Sequence, residues 1–321
     1  MLRCLRSASV DRRPPLVLVT RRVPERVRDE LDRDFVVVSH DAETPPAREW
    51  LLRELAAAEG VVAMLTDRID AEVLRASPRL RVVANYAVGV DNVDVDEATR
   101  RGVVVANTPD VLTRATAELA IALFLALLRR VAEGDRLVRR GEPWVWAPTF
   151  MLGRGLSGLT LAVVGAGRIG SEVGRLAAAL GMRVVYAGRG DLARALAEGD
   201  VVSLHVPLTV ETRHLIDERT LRAMKRSAVL VNTSRGAVVD EAALAAALAD
   251  GEIAGAALDV YEAEPAVTEA LLSLENVVLA PHLGSATREA REAMGMLCVE
   301  ALRAVLLEGR LPSNAVNRPG A

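Results

Sequence analysis

Cysteine is nearly absent from this chain. Its 321 residues hold two, Cys4 and Cys298, near opposite termini. They build no disulfide framework and no metal-spaced set, so no metal is expected and a reducing cytoplasm is the expected compartment. Lysine is scarcer still: Lys225 is the only one, and arginine carries almost all of the positive charge. With 40 basic against 43 acidic residues, the formal net charge is -3. That balance offers no electrostatic footprint for nucleic acid or an anionic membrane, and no DNA-binding motif is visible. Long apolar runs are also lacking. The longest, Leu119 to Leu128, has ten residues. A membrane-spanning helix needs about 20, so a buried helical segment is expected there. There is no low-complexity segment and no short-period repeat.

What is present can fold. The chain is 51% hydrophobic and 26% charged, which argues against disorder. Its length suggests about two domains. The first ten residues, MLRCLRSASV, carry arginine and no acid. That is faintly transit-like, but an untidy N-terminal extension is the simpler reading.

From Leu16 onward, strand-like and helix-like patterns alternate. Strands are expected at 16–20, 35–39, 61–65, 81–85 and 103–107, with helices at 24–31, 47–58, 70–76 and 94–101 between them. Such alternation is the signature of a parallel sheet flanked by helices. One long helix is expected from about Leu112 to Arg139, ended by GEPWVWAP at 141–148. A second alternating series opens at LTLAVVGAGRIG (159–170) and continues through RVVYAG, DVVSLHVP, AVLVNTSRG and IAGAALDV. The last helix pattern, Ser285 to Leu307, is read as returning to the first domain. The expectation is therefore α/β: two Rossmann-like or flavodoxin-like doubly wound parallel-sheet domains. Residues 1–110 plus 288–321 form the substrate domain, and 111–287 form an inserted dinucleotide-binding domain.

Gly165-Ala166-Gly167-Arg168-Ile169-Gly170 follows a strand and opens a helix. Gly165 permits a tight turn, Gly167 lets a pyrophosphate approach the backbone, and Gly170 lets helix and strand pack closely. The helix N-terminus meets phosphate with free N–H groups and a positive dipole end. The glycines alone would also suit a packing turn; the strand–turn–helix context favours the cofactor reading. An NAD site expects an acid about 20 residues on, at the end of the second strand. Here Gly188 holds that place, with Arg189 beside it. Arginine cannot accept a ribose hydroxyl but can pair with a 2′-phosphate. NADP(H) is therefore favoured, with NAD(H) as the alternative and a solvated arginine as the bland reading.

Strand-end loops carry the chemistry in open α/β sheets. His282 sits in such a loop, in Ala280-Pro281-His282-Leu283-Gly284-Ser285. Arg235 follows another strand in Asn232-Thr233-Ser234-Arg235-Gly236, where a planar, permanently charged fork suits a carboxylate. Glu264 lies in Asp259-Val260-Tyr261-Glu262-Ala263-Glu264-Pro265; beside His282 it would favour the imidazolium and orient it. His205, in His205-Val206-Pro207, reads as a cofactor-side or packing residue, and the contexts of His40 and His214 are bland. Taken singly, each charge is also an ordinary surface group and each histidine an ordinary loop residue.

Together the motifs are recognisable. From about residue 60 to 320 the chain resembles the D-isomer-specific 2-hydroxyacid dehydrogenases, most closely the glyoxylate/hydroxypyruvate reductase branch. Asn85-Tyr86-Ala87-Val88-Gly89-Val90-Asp91-Asn92 resembles its substrate-carboxylate loop. Asn107 to Thr113 and Ala115 to Ala120 resemble the entry to its long helix, and VNTSRGAVVD, ALDVYEAEP and APHLGSAT resemble its catalytic segments. The resemblance implies the following roles. Arg235 and the N–H groups of Val88 and Gly89 hold the substrate carboxylate, and Arg235 also polarises the 2-oxo group. His282 donates the proton while Glu264 keeps it protonated and aimed. Asp259 faces the nicotinamide amide. The cofactor set is Gly165, Gly167, Arg168, Ile169, Gly170, Gly188, Arg189, His205, Val206, Pro207, Thr233, Ser234, Arg235, Asp259, His282 and Gly284. The substrate set is Leu65, Val88, Gly89, Arg235, His282 and Trp146, the last reaching a neighbouring subunit. A homodimer through the 112–150 segment is also implied.

One departure stands out. Only ten residues, 190–199, separate Arg189 from Asp200, where the family usually places a further helix, a short strand and a turn. DLARALAEG can make about two helical turns. The strand near 182–186 is therefore expected to become the sheet edge, and the wall around the adenosine ribose is trimmed. Two other readings stay open: a phosphoglycerate- or 2-ketogluconate-type dehydrogenase, and a non-catalytic, dinucleotide-sensing corepressor.

Overall fold

The computed structural model describes residues 13–188 and 190–320. Arg189, the N-terminal extension and Cys4 lie outside the described residues. The chain divides into two compact units, Met1–Pro109 with Arg291–Ala321 and Asp110–Ala290.

In the first unit the order is β1 (Leu16–Val19), α1 (Glu25–Asp34), β2 (Val36–Ser39), α2 (Arg48–Leu55), β3 (Gly60–Ala63), α3 (Ala71–Ala76), β4 (Val82–Asn85), α4 (Val95–Arg100) and β5 (Val104–Ala106). All pairs are parallel, in the order β2-β1-β3-β4-β5, which is the flavodoxin-like arrangement. Short β-branched runs make these strands, and β3 and β4 are buried throughout, as a sheet covered on both faces requires. Asp70 and Asp94 start α3 and α4 by accepting N–H bonds from Glu72, Val73 and Glu97.

The second unit contains α5 (Thr113–Leu128), α6 (Val131–Arg139), β6 (Thr160–Val164), α7 (Arg168–Ala179), β7 (Arg183–Ala187), α8 (Leu192–Glu198), β8 (Val201–Leu204), α9 (Glu218–Arg222), β9 (Val229–Asn232), α10 (Glu241–Ala249), β10 (Gly255–Leu258), α11 (Glu269–Leu272) and β11 (Val277–Leu279). Its strands are parallel in the order β11-β10-β9-β8-β6-β7. Alternation sends Leu161 and Val163 into one core and Ala162 and Val164 into the other. The last helix, α12 (Arg288–Leu306), runs back to the first unit. There Arg303 bonds Glu30 and Asp34 of α1, and Leu302 lies under Gly60, where a Cβ would come within 2.6 Å of it.

Two sequence expectations meet the structure here. The strand over 183–187 is the sheet edge, and α8 makes the two expected turns before β8. The single long helix over 112–139 is corrected to two, broken at Arg130 with a left-handed φ of 55°. The break has a tertiary cause. The Leu128 carbonyl is taken by the Arg154 N–H at 2.8 Å, so the helical ladder cannot pass that point. Arg130 then folds its guanidinium onto Glu133 at 2.7 Å.

Candidate active site

The Gly-rich turn is built as its sequence implies. Gly165 has φ +99°, and a Cβ there would lie 2.6 Å from the His205 carbonyl oxygen, so only glycine fits. A Cβ on Gly170 would lie 2.0 Å from the Gly165 carbonyl oxygen, which makes Gly170 the helix–strand packing position. A Cβ on Gly167 would meet nothing within 4 Å. Gly167 precedes α7, whose first N–H groups have no side-chain cap. Arg168 and Ile169 open that helix, and Arg168 pairs with Asp110 at 2.6 Å. The residues present fit a dinucleotide. Open space lies beside uncapped donors, and the buried Thr233 hydroxyl has no protein partner among the described residues. Val206 and Pro207 follow β8 beside His205, whose Nε2 lies 2.8 Å from the Ser203 hydroxyl. Burial pushes the His205 imidazole down to about 4, so it is neutral at ordinary pH.

The catalytic candidates converge in the second unit. Glu264 Oε2 lies 2.8 Å from His282 Nδ1. Its other oxygen accepts the Tyr261 N–H at 3.1 Å. Burial pushes the Glu264 carboxyl up, but the His282 bond and charge, the Tyr261 N–H and the Arg235 charge outweigh it and hold it below its usual value. The pair is thus poised with an ionised carboxylate on Nδ1, leaving Nε2 on the far side of the ring for substrate. His282 is held in the left-handed region at φ 55°. For a non-glycine residue that is strain of the kind found at functional sites.

Asp259 maintains that strain. It is 1% exposed, and its two oxygens accept the N–H groups of Leu283 at 2.6 Å and Gly284 at 2.8 Å. The His282 N–H donates to the Asp259 carbonyl at 2.9 Å. Burial raises the Asp259 carboxyl above its usual value despite these donors and the His282 charge. Sequence reasoning cast Asp259 as a nicotinamide contact; what the structure shows is its hold on the histidine loop.

Arg235 stands at the end of β9, before a 3-10 turn at Gly236–Val238. Asn232, 1% exposed, shapes its turn: Oδ1 accepts from the Ser234 N–H and hydroxyl, and Nδ2 donates to the Arg235 carbonyl. Gly236 is required because a Cβ there would lie 1.9 Å from the Tyr261 carbonyl carbon, and this contact brings the Arg235 turn against the segment bearing Glu264. Asn232, Gly236 and Tyr261 were not singled out from sequence. An Asn followed two residues later by a turn is the one local signal that points to Asn232.

In the first unit, Leu65 lies half-buried between β3 and α3, and Val88 and Gly89 lie in the loop after β4. Trp146 is 78% exposed in the segment after α6. Gly188 follows β7 with open space at its Cβ position, and the expectation for Arg189 lies outside the described residues. Among the described residues, no helix is long and apolar enough to cross a membrane, and no group of three or more His, Cys, Asp or Glu could hold a metal ion.

A dinucleotide turn on the same sheet as a strand-end histidine–carboxylate pair is the arrangement of a nicotinamide-linked dehydrogenase. Residues 121–284 match the model of the D-isomer specific 2-hydroxyacid dehydrogenase NAD-binding domain. The chain is 49% identical to a glyoxylate reductase of Korarchaeum cryptofilum, over 95% of this chain and 96% of that protein. Among solved structures, a Thermus thermophilus protein is 47% identical with a TM-score of 0.89, over 94% of this chain and all of that one. The NADPH-dependent glyoxylate/hydroxypyruvate reductase of Sinorhizobium meliloti, solved with NADP and malonate, is 34% identical with a TM-score of 0.81, over 95% and 97%. This chain belongs to the D-isomer specific 2-hydroxyacid dehydrogenase family, in its glyoxylate reductase branch.

Proposed function

We propose that the protein reduces a small 2-oxo acid of the glyoxylate or hydroxypyruvate type to the D-2-hydroxy acid. The observation that carries this reading is the His282–Glu264 pair, 2.8 Å apart at the strand ends of the dinucleotide unit. A bound reduced nicotinamide supplies the hydride. His282 gives the proton on Nε2 to the carbonyl oxygen as that oxygen gains charge, and Glu264 stabilises the imidazolium before transfer. Arg235 grips the carboxylate and polarises the 2-oxo group. The family resemblance also assigns Val88 and Gly89 to substrate binding through their backbone N–H groups, and Leu65 to the substrate's small side group. The 2-oxo acid takes up one hydride on carbon and one proton on oxygen to become the hydroxy acid, leaving an oxidised nicotinamide and a neutral His282, which balances the reaction.

NADPH is favoured over NADH. The support is Arg189 after β7 and the absence of an acid at Gly188, together with the NADP complex of the Sinorhizobium relative. A homodimer through the 112–150 segment is also favoured. Helix α6 buries no residue, and Val131, Val138, Trp144 and Trp146 are each more than half exposed. Apolar surface of that kind marks an association site, and Trp146 would serve the partner's substrate pocket.

The test is an absorbance assay of nicotinamide oxidation with glyoxylate, hydroxypyruvate and 2-ketogluconate, each with NADH and NADPH. Glyoxylate or hydroxypyruvate with NADPH is expected to give the highest kcat/KM. No turnover with any pair, alongside tight dinucleotide binding, would support the corepressor-like reading instead. Sedimentation should show a dimer, and an aspartate at Val138 should weaken it.

A further inference from the structure

The loop after β4 presents its backbone in an unusual way. Three successive carbonyls are tied back into the protein. The Ala87 carbonyl accepts the Thr108 N–H at 2.9 Å. The Val88 carbonyl accepts Asn107 Nδ2 at 2.8 Å, and the Gly89 carbonyl accepts Asn85 Nδ2 at 2.8 Å. In a trans peptide the C=O and the following N–H point in opposite directions. Fixing these three carbonyls therefore turns the N–H groups of Val88, Gly89 and Val90 the other way. None of the three donates to a protein acceptor among the described residues. Successive free N–H groups make an anion-binding concavity.

The ties are themselves secured. Asn85 is fully buried, and its Oδ1 accepts Asn92 Nδ2 at 3.0 Å. Asn92 Nδ2 also lies within bonding distance of the Met64 and Asp67 carbonyls, at 3.0 and 3.1 Å, which joins this loop to the one bearing Leu65. Asn107 is anchored by its own backbone, which exchanges bonds with Asn314. An asparagine amide suits the task because it donates without bringing charge beside the anion.

We propose that Asn107 and Asn85 are positioning residues for substrate binding: their amides hold the Val88 and Gly89 peptides so that the loop's N–H groups face the substrate carboxylate. This rests on the 2-oxo acid reading above. Asn107 is the better probe because it is half-buried, whereas Asn85 is part of the core. Asn107→Asp keeps the shape but sets a carboxylate against the Val88 carbonyl, releasing the peptide.

The experiment measures steady-state kinetics of Asn107→Asp and Asn107→Ser. The KM for glyoxylate and the inhibition constant of oxamate, an unreducible carboxylate, should both rise about tenfold or more, the scale of one lost bond to a charged group. The kcat, the KM for NADPH and Tm should change little. Hydroxypyruvate should suffer the same factor as glyoxylate, because the two share the carboxylate. A KM and oxamate constant within twofold of wild type in either folded variant overturns the proposal. So does a fall in Tm with no change in KM, which marks a structural role only. If wild type turns over no 2-oxo acid, the substrate reading fails and the proposal with it; wild-type turnover with unchanged variants overturns the proposal alone.

Discussion

The two units use the same architecture, parallel strands ending in loops, yet equip those loops differently. In the first unit the strand ends offer backbone N–H groups, with their carbonyls held by neutral amides of Asn85 and Asn107. In the second they offer side chains: Arg235, Glu264 and His282, with Asp259 beneath. The difference teaches where charge is needed. Backbone donors hold an anion without proton traffic, so that loop needs rigidity alone. A group that must give up a proton needs a partner whose charge stabilises its protonated form, and a loop held tightly enough to aim it. On the function proposed above, the second unit meets the latter need by holding His282 in the left-handed region, with Asp259 securing its loop.

This contrast can be broken by substitution. The largest effect is expected at His282. His282→Ala should lower kcat by about a hundredfold to ten-thousandfold, while NADPH binding, read by fluorescence titration, stays near normal. Turnover close to wild type would remove His282 from the proton-donor role. Next is Arg235→Lys, where an ammonium loses the two-pronged grip. The kcat/KM for glyoxylate should drop about a hundredfold, and unchanged KM and kcat would argue against the grip.

Glu264→Gln keeps the side-chain shape and removes the charge. We expect kcat to fall about tenfold. The carboxyl is held below its usual value in the fold. The stability it contributes is therefore present above the unfolded value and lost as pH falls through the folded one. Wild-type Tm should decline on acidification through that window more steeply than the Gln variant's; parallel curves would contradict it.

The smallest effect sharpens the cofactor side. Gly167→Ala should raise the KM for NADPH about tenfold, since its Cβ would enter only the open space assigned to the pyrophosphate, and Tm should hold. Gly170→Ala should do the reverse, because its Cβ would strike the Gly165 carbonyl. If the two variants behaved alike, the separation of binding from packing glycines would fail.

Much of this was legible before folding. Alternating apolar runs announced both parallel sheets, and the ten-residue gap before Asp200 announced that β7 would be an edge, since an interval so short cannot hold another strand. The helix break at Arg130 was not legible, because the apolar pattern carries on through Leu128 and the interruption comes from Arg154, far along the chain. Asp259 was read as a cofactor contact only; its hold on Leu283 and Gly284 spans 24 positions or more.

The sequence by itself determined the fold class, and it supplied the candidates proposed above for the phosphate-binding turn, the proton donor, its carboxylate partner and the carboxylate-gripping arginine. These follow from local periodicity and from residue chemistry at strand ends, which short segments carry on their own. Only the tertiary structure decided how those groups are held: which carboxylate clamps the histidine loop, which amides turn the Val88 and Gly89 peptides, and which glycine packs while its neighbour leaves space. Those outcomes depend on distances between groups remote in the chain. No local pattern encodes such distances, because folding sets them through the packing of whole elements.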